Sequence, residues 1–307
     1  MAADGPVDPE RVPSAVRAFA PAKINLYLHV VGRRPDGYHL LDSLIAFADI
    51  GDWVTARPAD GLSLTIEGPE AGSLTDQTAD NLVLRAARLL AEAMPQPPPG
   101  AALHLHKVLP VSSGIGGGSS DAATALRALC RLWRYRPEPP HLAALALRLG
   151  ADTPACLLGA PVWVGGIGDM LDPAPGMPNA GILLVNPRIA LSTPAVFKAR
   201  HGDFSEPGRF ATMPADVASL ATALAGHRND LTAAACSVVP EIGRILETLS
   251  TLPGGALARM SGSGATCFAL FRDRNAAQDA AAMVRQARPA WWVAAGALTI
   301  APPPIHT

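Results

Sequence analysis

Three stretches of this chain carry residue types that could move or hold a phosphoryl group. In Pro21-Ala-Lys-Ile-Asn-Leu-Tyr-Leu-His29, Lys23 and Asn25 stand two apart among apolar neighbours, so both project from one face of a strand. A half-buried ammonium there can polarise a hydroxyl or neutralise phosphate charge, whereas a solvated lysine would do neither. Asp152, in Leu149-Gly-Ala-Asp-Thr-Pro-Ala155, follows an apolar helical pattern. It reads either as a cap for the next turn or as a carboxylate able to accept a proton in phosphoryl transfer. The third stretch is Leu109-Pro-Val-Ser-Ser-Gly-Ile-Gly-Gly-Gly-Ser-Ser-Asp121, with four glycines and four serines. Taken alone it is a flexible linker. It lies, however, between the apolar run 101–109 and a helical pattern of Ala122, Ala125, Leu126, Leu129 and Trp133. A glycine loop that empties into a helix N-terminus offers free N–H groups and a positive dipole end to an anion. No Gly-Lys-Ser or Gly-Lys-Thr follows, so it is not a Walker A loop, and it is not the opening turn of a dinucleotide-binding unit.

Smaller signals accompany these. Gly32-Arg-Arg-Pro-Asp-Gly-Tyr-His39 holds a turn, and Tyr38 and His39 just after it could stack on a ring and hydrogen-bond to it. Met260-Ser-Gly-Ser-Gly-Ala-Thr-Cys267 is a second glycine loop, either a tight turn or a second set of backbone donors facing the first. His104 and His106 alternate along one strand face without a third ligand nearby, which favours solvated histidines over a metal pair. Trp291 and Trp292 are expected as the core and surface sides of one strand.

The elements that must position these residues read as α+β. Strands are expected at 17–20, 26–31, 44–50, 53–57, 62–66, 101–109, 182–185 and 291–300, and around 261–264 as a strand–loop–strand. Helices are expected at 81–94, 120–133, 141–149, 215–225, 230–235, 241–249 and 275–286. The Pro/Gly-rich zone 165–181 divides the chain into lobes at 17–175 and 176–300, between loose tails at 1–16 and 301–307. No internal repeat is visible. At 307 residues, 49% hydrophobic and 17% charged, the chain is long enough for real cores. Its formal net charge of -1 argues against nucleic acid or an anionic membrane as partner. Cys130, Cys156, Cys236 and Cys267 are too scattered for zinc or a disulfide framework. With neither a signal-peptide pattern nor an uninterrupted apolar span, the expected setting is the cytoplasm.

The glycine loop resembles the nucleotide loop of the GHMP kinases. In the same order, Pro21-Ala-Lys-Ile-Asn25, Gly37-Tyr-His39, Gly150-Ala-Asp152, Pro194-Ala-Val-Phe-Lys198, Asn229-Asp-Leu231 and Ser261-Gly-Ser-Gly264 resemble one branch of that family, over about residues 19–300. Its acceptor is 4-diphosphocytidyl-2-C-methyl-D-erythritol. The resemblance implies a two-lobed GHMP fold, with an N-terminal ribosomal-S5-like and a C-terminal ferredoxin-like α+β lobe. It implies transfer of the ATP γ-phosphoryl group to the acceptor's 2-hydroxyl, with Asp152 as base and Lys23 as its partner. Asn25 would help hold the acceptor, Tyr38, His39 and Phe197 would clasp its cytosine, and Thr193 would lie near it. Pro110, Val111, Ser112, Ser113, Gly114, Ile115, Gly116, Gly117, Gly118, Ser119 and Ser120 would wrap the phosphates, with Asn81 and Lys107 on the adenosine side. Mg²⁺ is implied as the ATP counter-ion without named protein ligands, and the chain as a monomer or homodimer. Ser112-Ser113 departs from the Gly or Ala common there in relatives, which would shift nucleotide affinity slightly. A kinase of another alcohol, such as mevalonate or homoserine, and a silent nucleotide-binding protein are the competing readings. Tyr38 and His39 weigh against the first, and the presence of both Lys23 and Asp152 against the second.

Overall fold

The computed structural model describes residues 13–74 and 80–307; most of the expected N-terminal tail, 1–12, lies outside the described residues. The chain runs β1 (Val16–Arg33), β2 (His39–Ala59), β3 (Leu62–Glu67), α1 (Leu82–Ala93), β4 (Gly100–His106), α2 (Gly117–Leu132), α3 (Pro139–Leu149), α4 (Thr153–Leu158), β5 (Val162–Gly165) and β6 (Met170–Pro173). It continues β7 (Gly181–Asn186), α5 (Thr193–Ala199), α6 (Val217–Ala225), α7 (Thr232–Val238), α8 (Glu241–Ser250), β8 (Leu257–Met260), β9 (Cys267–Phe271), α9 (Arg274–Ala287), β10 (Trp292–Thr299) and β11 (Ile305–His306).

The four separate strands expected between 17 and 57 are two long ones. β1 and β2 pair antiparallel along nearly their whole length, with register shifts between Pro21/Ala22, Asn25/Tyr27 and Val30/Gly32. Bulges bend a strand without ending it, so one strand can serve two layers. β2 is long enough to pair with β4 at one end, β5 at the other, and β10 between them. The sheet therefore runs β11-β1-β2-β10-β7-β9-β8, with β3–β4 and β5–β6 branching from β2. β10 bonds to β7 through 292–297 and to β2 through Leu298 and Thr299, so the sheet crosses the expected lobe boundary unbroken.

α2 lies against β1 and β2 through Ala122, Ala125, Leu126 and Leu129, buried with Ala18, Val54 and Ala56. Small side chains let the helix approach the sheet closely, and this buries both faces of β1. That is why Lys23 and Asn25, polar residues in a strand, are only 3% and 4% exposed. A second core gathers Leu183, Val185, Ile242, Ile245, Phe271 and Val284 under α7, α8 and α9.

Two other expectations are corrected. Residues 301–307 are not a loose tail: Ile305 and His306 pair with Ala18 and Arg17, and Arg127 donates to the Pro303 carbonyl. Prolines forbid a helix but not an edge strand, where the missing N–H faces outward. Trp291 and Trp292 are both buried rather than split between core and surface; their indoles donate to Glu241 and to the Val108 carbonyl. The 165–181 zone holds β6, hairpinned onto β5. His104 and His106 both reach Glu67 of the neighbouring parallel strand, at 3.2 and 3.3 Å, which accounts for the pair without a metal.

Candidate active site

A cleft of about 1420 Å³ opens where the glycine loop, the middle of β1, the β1–β2 turn and α5 converge. Its centre is an ion pair. The Lys23 ammonium donates to Asp152 Oδ2 at 2.9 Å and to Asn25 Oδ1 at 2.9 Å. Asp152 occupies the N-cap position of α4, yet its side chain caps nothing. The carboxylate turns instead to Lys23, and with 47% side-chain exposure it faces the cleft. The cap reading of Asp152 therefore gives way to an oriented carboxylate. Asn25 is fixed in turn: its Nδ2 donates to Ser43 Oγ at 2.8 Å, and Ser43 donates to the Tyr27 carbonyl. Ser43 also lines the cleft. A serine inside the apolar run of β2 was the available signal for it, and the motif order passed over it.

The glycine loop is held against β1 from behind. The Lys23 N–H donates to the Ile115 carbonyl at 2.9 Å, and Ile115 itself is buried in the core with Leu109. Gly116 has φ +62°, and a Cβ there would come within 3.1 Å of the Lys23 stem. Glycine takes that turn without strain and leaves the Lys23 stem its room. Gly116 then starts α2 without any side-chain cap, leaving the first N–H groups of the helix for an anion. Pro110, Val111, Ser112, Ser113, Gly114, Gly116, Gly117, Gly118 and Ser119 border the cleft, whereas Ile115 and Ser120 are buried behind it. Ser112 carries a left-handed φ of 51°, a strained conformation for serine.

The second glycine loop packs directly on the first. Ser261 Oγ donates to the Gly114 carbonyl at 3.1 Å, and Thr266 N–H donates to the Ser113 carbonyl at 3.0 Å. Asn229 Nδ2 donates to the Met260 and Gly262 carbonyls, tying this loop to the bridge between Asn229 and Leu28 of β1. A Cβ on Gly114 would lie 2.5 Å from the Gly264 carbonyl oxygen and 2.6 Å from that of Ser261, at φ +73°. Gly114→Ala is therefore expected to push the loops apart, lowering stability by more than about 1 kcal/mol. Urea unfolding measures this, and an unchanged midpoint would show that the loops yield without cost.

Lys107 lies under the loop, its Nζ 3.1 Å from where a Cβ of Gly117 would stand. It is buried and paired with Asp52 at 2.6 Å and Asp121 at 2.7 Å. Asp52 also accepts the Val108 and Leu109 N–H groups, which pulls the chain off the end of β4 and into the loop. Burial, opposed by Lys107 and reinforced by the Asp52 charge, pushes the Asp121 carboxyl up to about 8. Neither aspartate was singled out in the sequence, because their partner stands 55 and 14 residues away. Asn81 caps α1 by accepting the Val83 N–H at 2.9 Å and lines the cleft as well.

The cleft is completed by Tyr38, His39, Thr193 and Phe197. The His39 and Phe197 rings stack with centroids 5.0 Å apart, and Tyr38 is 63% exposed. Burial, then the nearby Arg33 and Arg200 charges, hold His39 below the ordinary histidine range. Near neutral pH its ring thus carries one donor and one acceptor. Thr193 Oγ1 and Ser263 Oγ, 2.7 Å apart, join α5 to the second glycine loop.

Residues 81–160 match the GHMP kinases N terminal domain and residues 200–290 the GHMP kinases C terminal domain. A 4-diphosphocytidyl-2-C-methyl-D-erythritol kinase of Paramagnetospirillum magneticum is 52% identical over 275 residues, covering 90% of this chain and 95% of the relative. The crystal structure of a 4-(cytidine 5'-diphospho)-2C-methyl-D-erythritol kinase superposes with a TM-score of 0.75 at 34% identity, covering 92% of this chain and 98% of the other. Homoserine kinase from Cytophaga hutchinsonii superposes with a TM-score of 0.71 at 18% identity, covering 98% of this chain and all of the other, a likeness of fold.

Proposed function

The chain belongs to the 4-diphosphocytidyl-2-C-methyl-D-erythritol kinases of the GHMP kinase family, and we propose from that membership how its cleft performs the transfer. The reaction moves the γ-phosphoryl group of ATP to the 2-hydroxyl of 4-diphosphocytidyl-2-C-methyl-D-erythritol, a step of isoprenoid precursor synthesis. The observation that carries the reading is the Lys23–Asp152–Asn25 cluster, set between an uncapped helix N-terminus and an aromatic wall.

ATP phosphates fit along Pro110–Ser119 and onto the free N–H groups at the start of α2, where backbone dipoles stabilise charge without a dedicated lysine. Asn81 and Lys107 border the adenosine side, with the Lys107 ammonium held by Asp52 and Asp121. The cytosine seats against Tyr38, His39 and Phe197, with the neutral His39 ring reading its polar edge. Thr193 and Asn25 position the alcohol.

With the 2-hydroxyl beside Asp152, the carboxylate accepts its proton as the hydroxyl oxygen bonds to the γ-phosphorus. The bond from that phosphorus to the β–γ bridging oxygen breaks, and ADP leaves. Lys23 holds the carboxylate in place and places positive charge next to the reacting oxygens. Positioning and electrostatics of this kind supply most of the acceleration in phosphoryl transfer.

Among the described residues no three histidine, cysteine or carboxylate side chains converge on a metal position. Of the carboxylates lining the cleft, Asp121 and Asp152 are each bound to a lysine and Asp36 to Arg34. Such donors fit a Mg²⁺ brought in with ATP, and Ser119, which borders the cleft, would be the loop residue available to hold it. The ion would neutralise charge on the phosphates. Among the described residues no helix is long and apolar enough to cross a membrane, and a cytoplasmic setting suits the soluble substrates.

The test is ADP release from Mg-ATP with 4-diphosphocytidyl-2-C-methyl-D-erythritol, and with mevalonate or homoserine as controls. Release only with the cytidyl substrate is expected. Release driven by mevalonate or homoserine instead would overturn the substrate, and ATP binding without acceptor-stimulated release would overturn the activity.

A further inference from the structure

The charges of the cleft are unevenly settled. On the nucleotide side both lysines are neutralised, Lys23 by Asp152 and Lys107 by Asp52 and Asp121. On the aromatic side three cations line the wall, Arg33, Lys198 and Arg200, and among the described residues none of them meets a carboxylate. The neighbouring Arg34, by contrast, pairs with Asp36 at 2.6 Å. We propose that Arg33 and Arg200 form the seat for the diphosphate of the acceptor, and so make the site select a nucleoside-diphosphate-linked alcohol over a free one. The inference rests on the acceptor assigned above and adds to it where specificity is exerted.

Both guanidinium groups are held rather than loose. Arg33 closes over the β1–β2 turn, donating from Nε to the Gly37 carbonyl at 3.1 Å, one residue before the exposed Tyr38. Arg200 follows the last turn of α5, three residues after Phe197. Its two terminal nitrogens donate to the Gly202 and Asp203 carbonyls, and its carbon lies 5.2 Å from the Phe204 ring centroid. Its Nε is buried without a partner. The two charges flank His39 closely enough that both depress its basicity. A cytosine on His39 and Phe197 thus places the phosphates that follow its ribose between two guanidinium forks, the groups best matched to phosphate oxygens. Lys198 adds a third positive charge from α5.

Phosphates could also be those of ATP, so the two sources must be separated. Calorimetric titration of the full chain with cytidine diphosphate and with cytidine, the nucleotide side filled by a non-hydrolysable ATP analogue, does this. The wild type is expected to bind the diphosphate far more tightly than the nucleoside. Arg33→Gln and Arg200→Gln should each cut that preference about 10-fold, and the double variant about 100-fold, with cytidine binding unchanged. Arg200→Lys should restore part of it, and added salt should erode it in the wild type more than in the double variant. Arg33 is exposed and bonds only its own turn, so Arg33→Gln tests the seat without risk to the fold. Equal weakening of both ligands would mean a damaged wall and would overturn the seat. So would a preference that disappears once the ATP analogue is present, or one that survives the double variant. Loss of turnover in a wild type that still prefers the diphosphate would overturn the acceptor and leave the seat standing.

Discussion

Replacing Asp152 by asparagine is expected to lower kcat by about 10²- to 10⁴-fold while the KM values for ATP and the acceptor change little. Asparagine keeps the shape and can still meet Lys23, but it cannot accept the hydroxyl proton. In the proposed mechanism the carboxylate, 47% exposed, meets the substrate, and the ammonium, 4% exposed, supports it. Lys23→Met should also abolish most turnover, by a different route. It leaves Asn25 Oδ1 and Asp152 without their shared donor and removes positive charge from the reacting oxygens. Steady-state kinetics with fluorescence binding of an ATP analogue separates the cases. Should Asp152→Asn retain a tenth or more of wild-type kcat, proton acceptance by Asp152 would not be needed for turnover.

The largest loss of stability is expected from Lys107→Met, at about 3–5 kcal/mol. The methionine fills the space but leaves Asp52 and Asp121 buried without the cation they share. Asp52 retains two backbone N–H donors, while Asp121 has an oxygen that is buried and already unpartnered. The loss has a pH signature. Asp121 is raised from 3.8 to about 8 on folding, so between those values the folded chain holds more proton than the unfolded one. Its contribution is present in full below the lower value and is lost as pH rises through the upper one. Without Lys107 the folded state leans still harder on that proton. Urea unfolding should therefore find a smaller penalty for Lys107→Met near about pH 5.5 than near about pH 8.5. Equal penalties would mean that Asp121 stays ionised across the range. The consequence for function lies in Gly117, directly above the ammonium: a collapsed triad would tilt the first turn of α2.

How far the sequence could be read differs by element. α2 was legible from its apolar periodicity and α1 from its cap, Asn81 on the Val83 N–H, since both signals lie within a dozen residues. β1 and β2 were broken into pieces because bulges interrupt an alternating pattern without interrupting pairing. The short α4 and α5, and the short strands β5, β6 and β11, carry too few residues for a period to show. Their existence depends on neighbours: β11 forms because β1 leaves an open edge at Arg17 and Ala18.

The same division runs through the site. Lys23, Asn25, the glycine loop, Asp152 and the Tyr38–His39 pair were visible by themselves, since an ammonium in an apolar strand or glycines before a helix are odd enough to ask for a reason. Their order along the chain was enough to identify the family. The partners were not visible. Lys23 meets Asp152 across 129 residues, and Ser261 meets Gly114 across 147. Only the folded sheet decides which of several polar residues converge, because alternation sets the face of a side chain but not what lies opposite it. Sequence alone therefore singled out Lys23, Asn25, Asp152 and the glycine loop as the candidate groups. The tertiary structure decided which charges are paired and which are free, since pairing depends on distance through space and burial sets its strength.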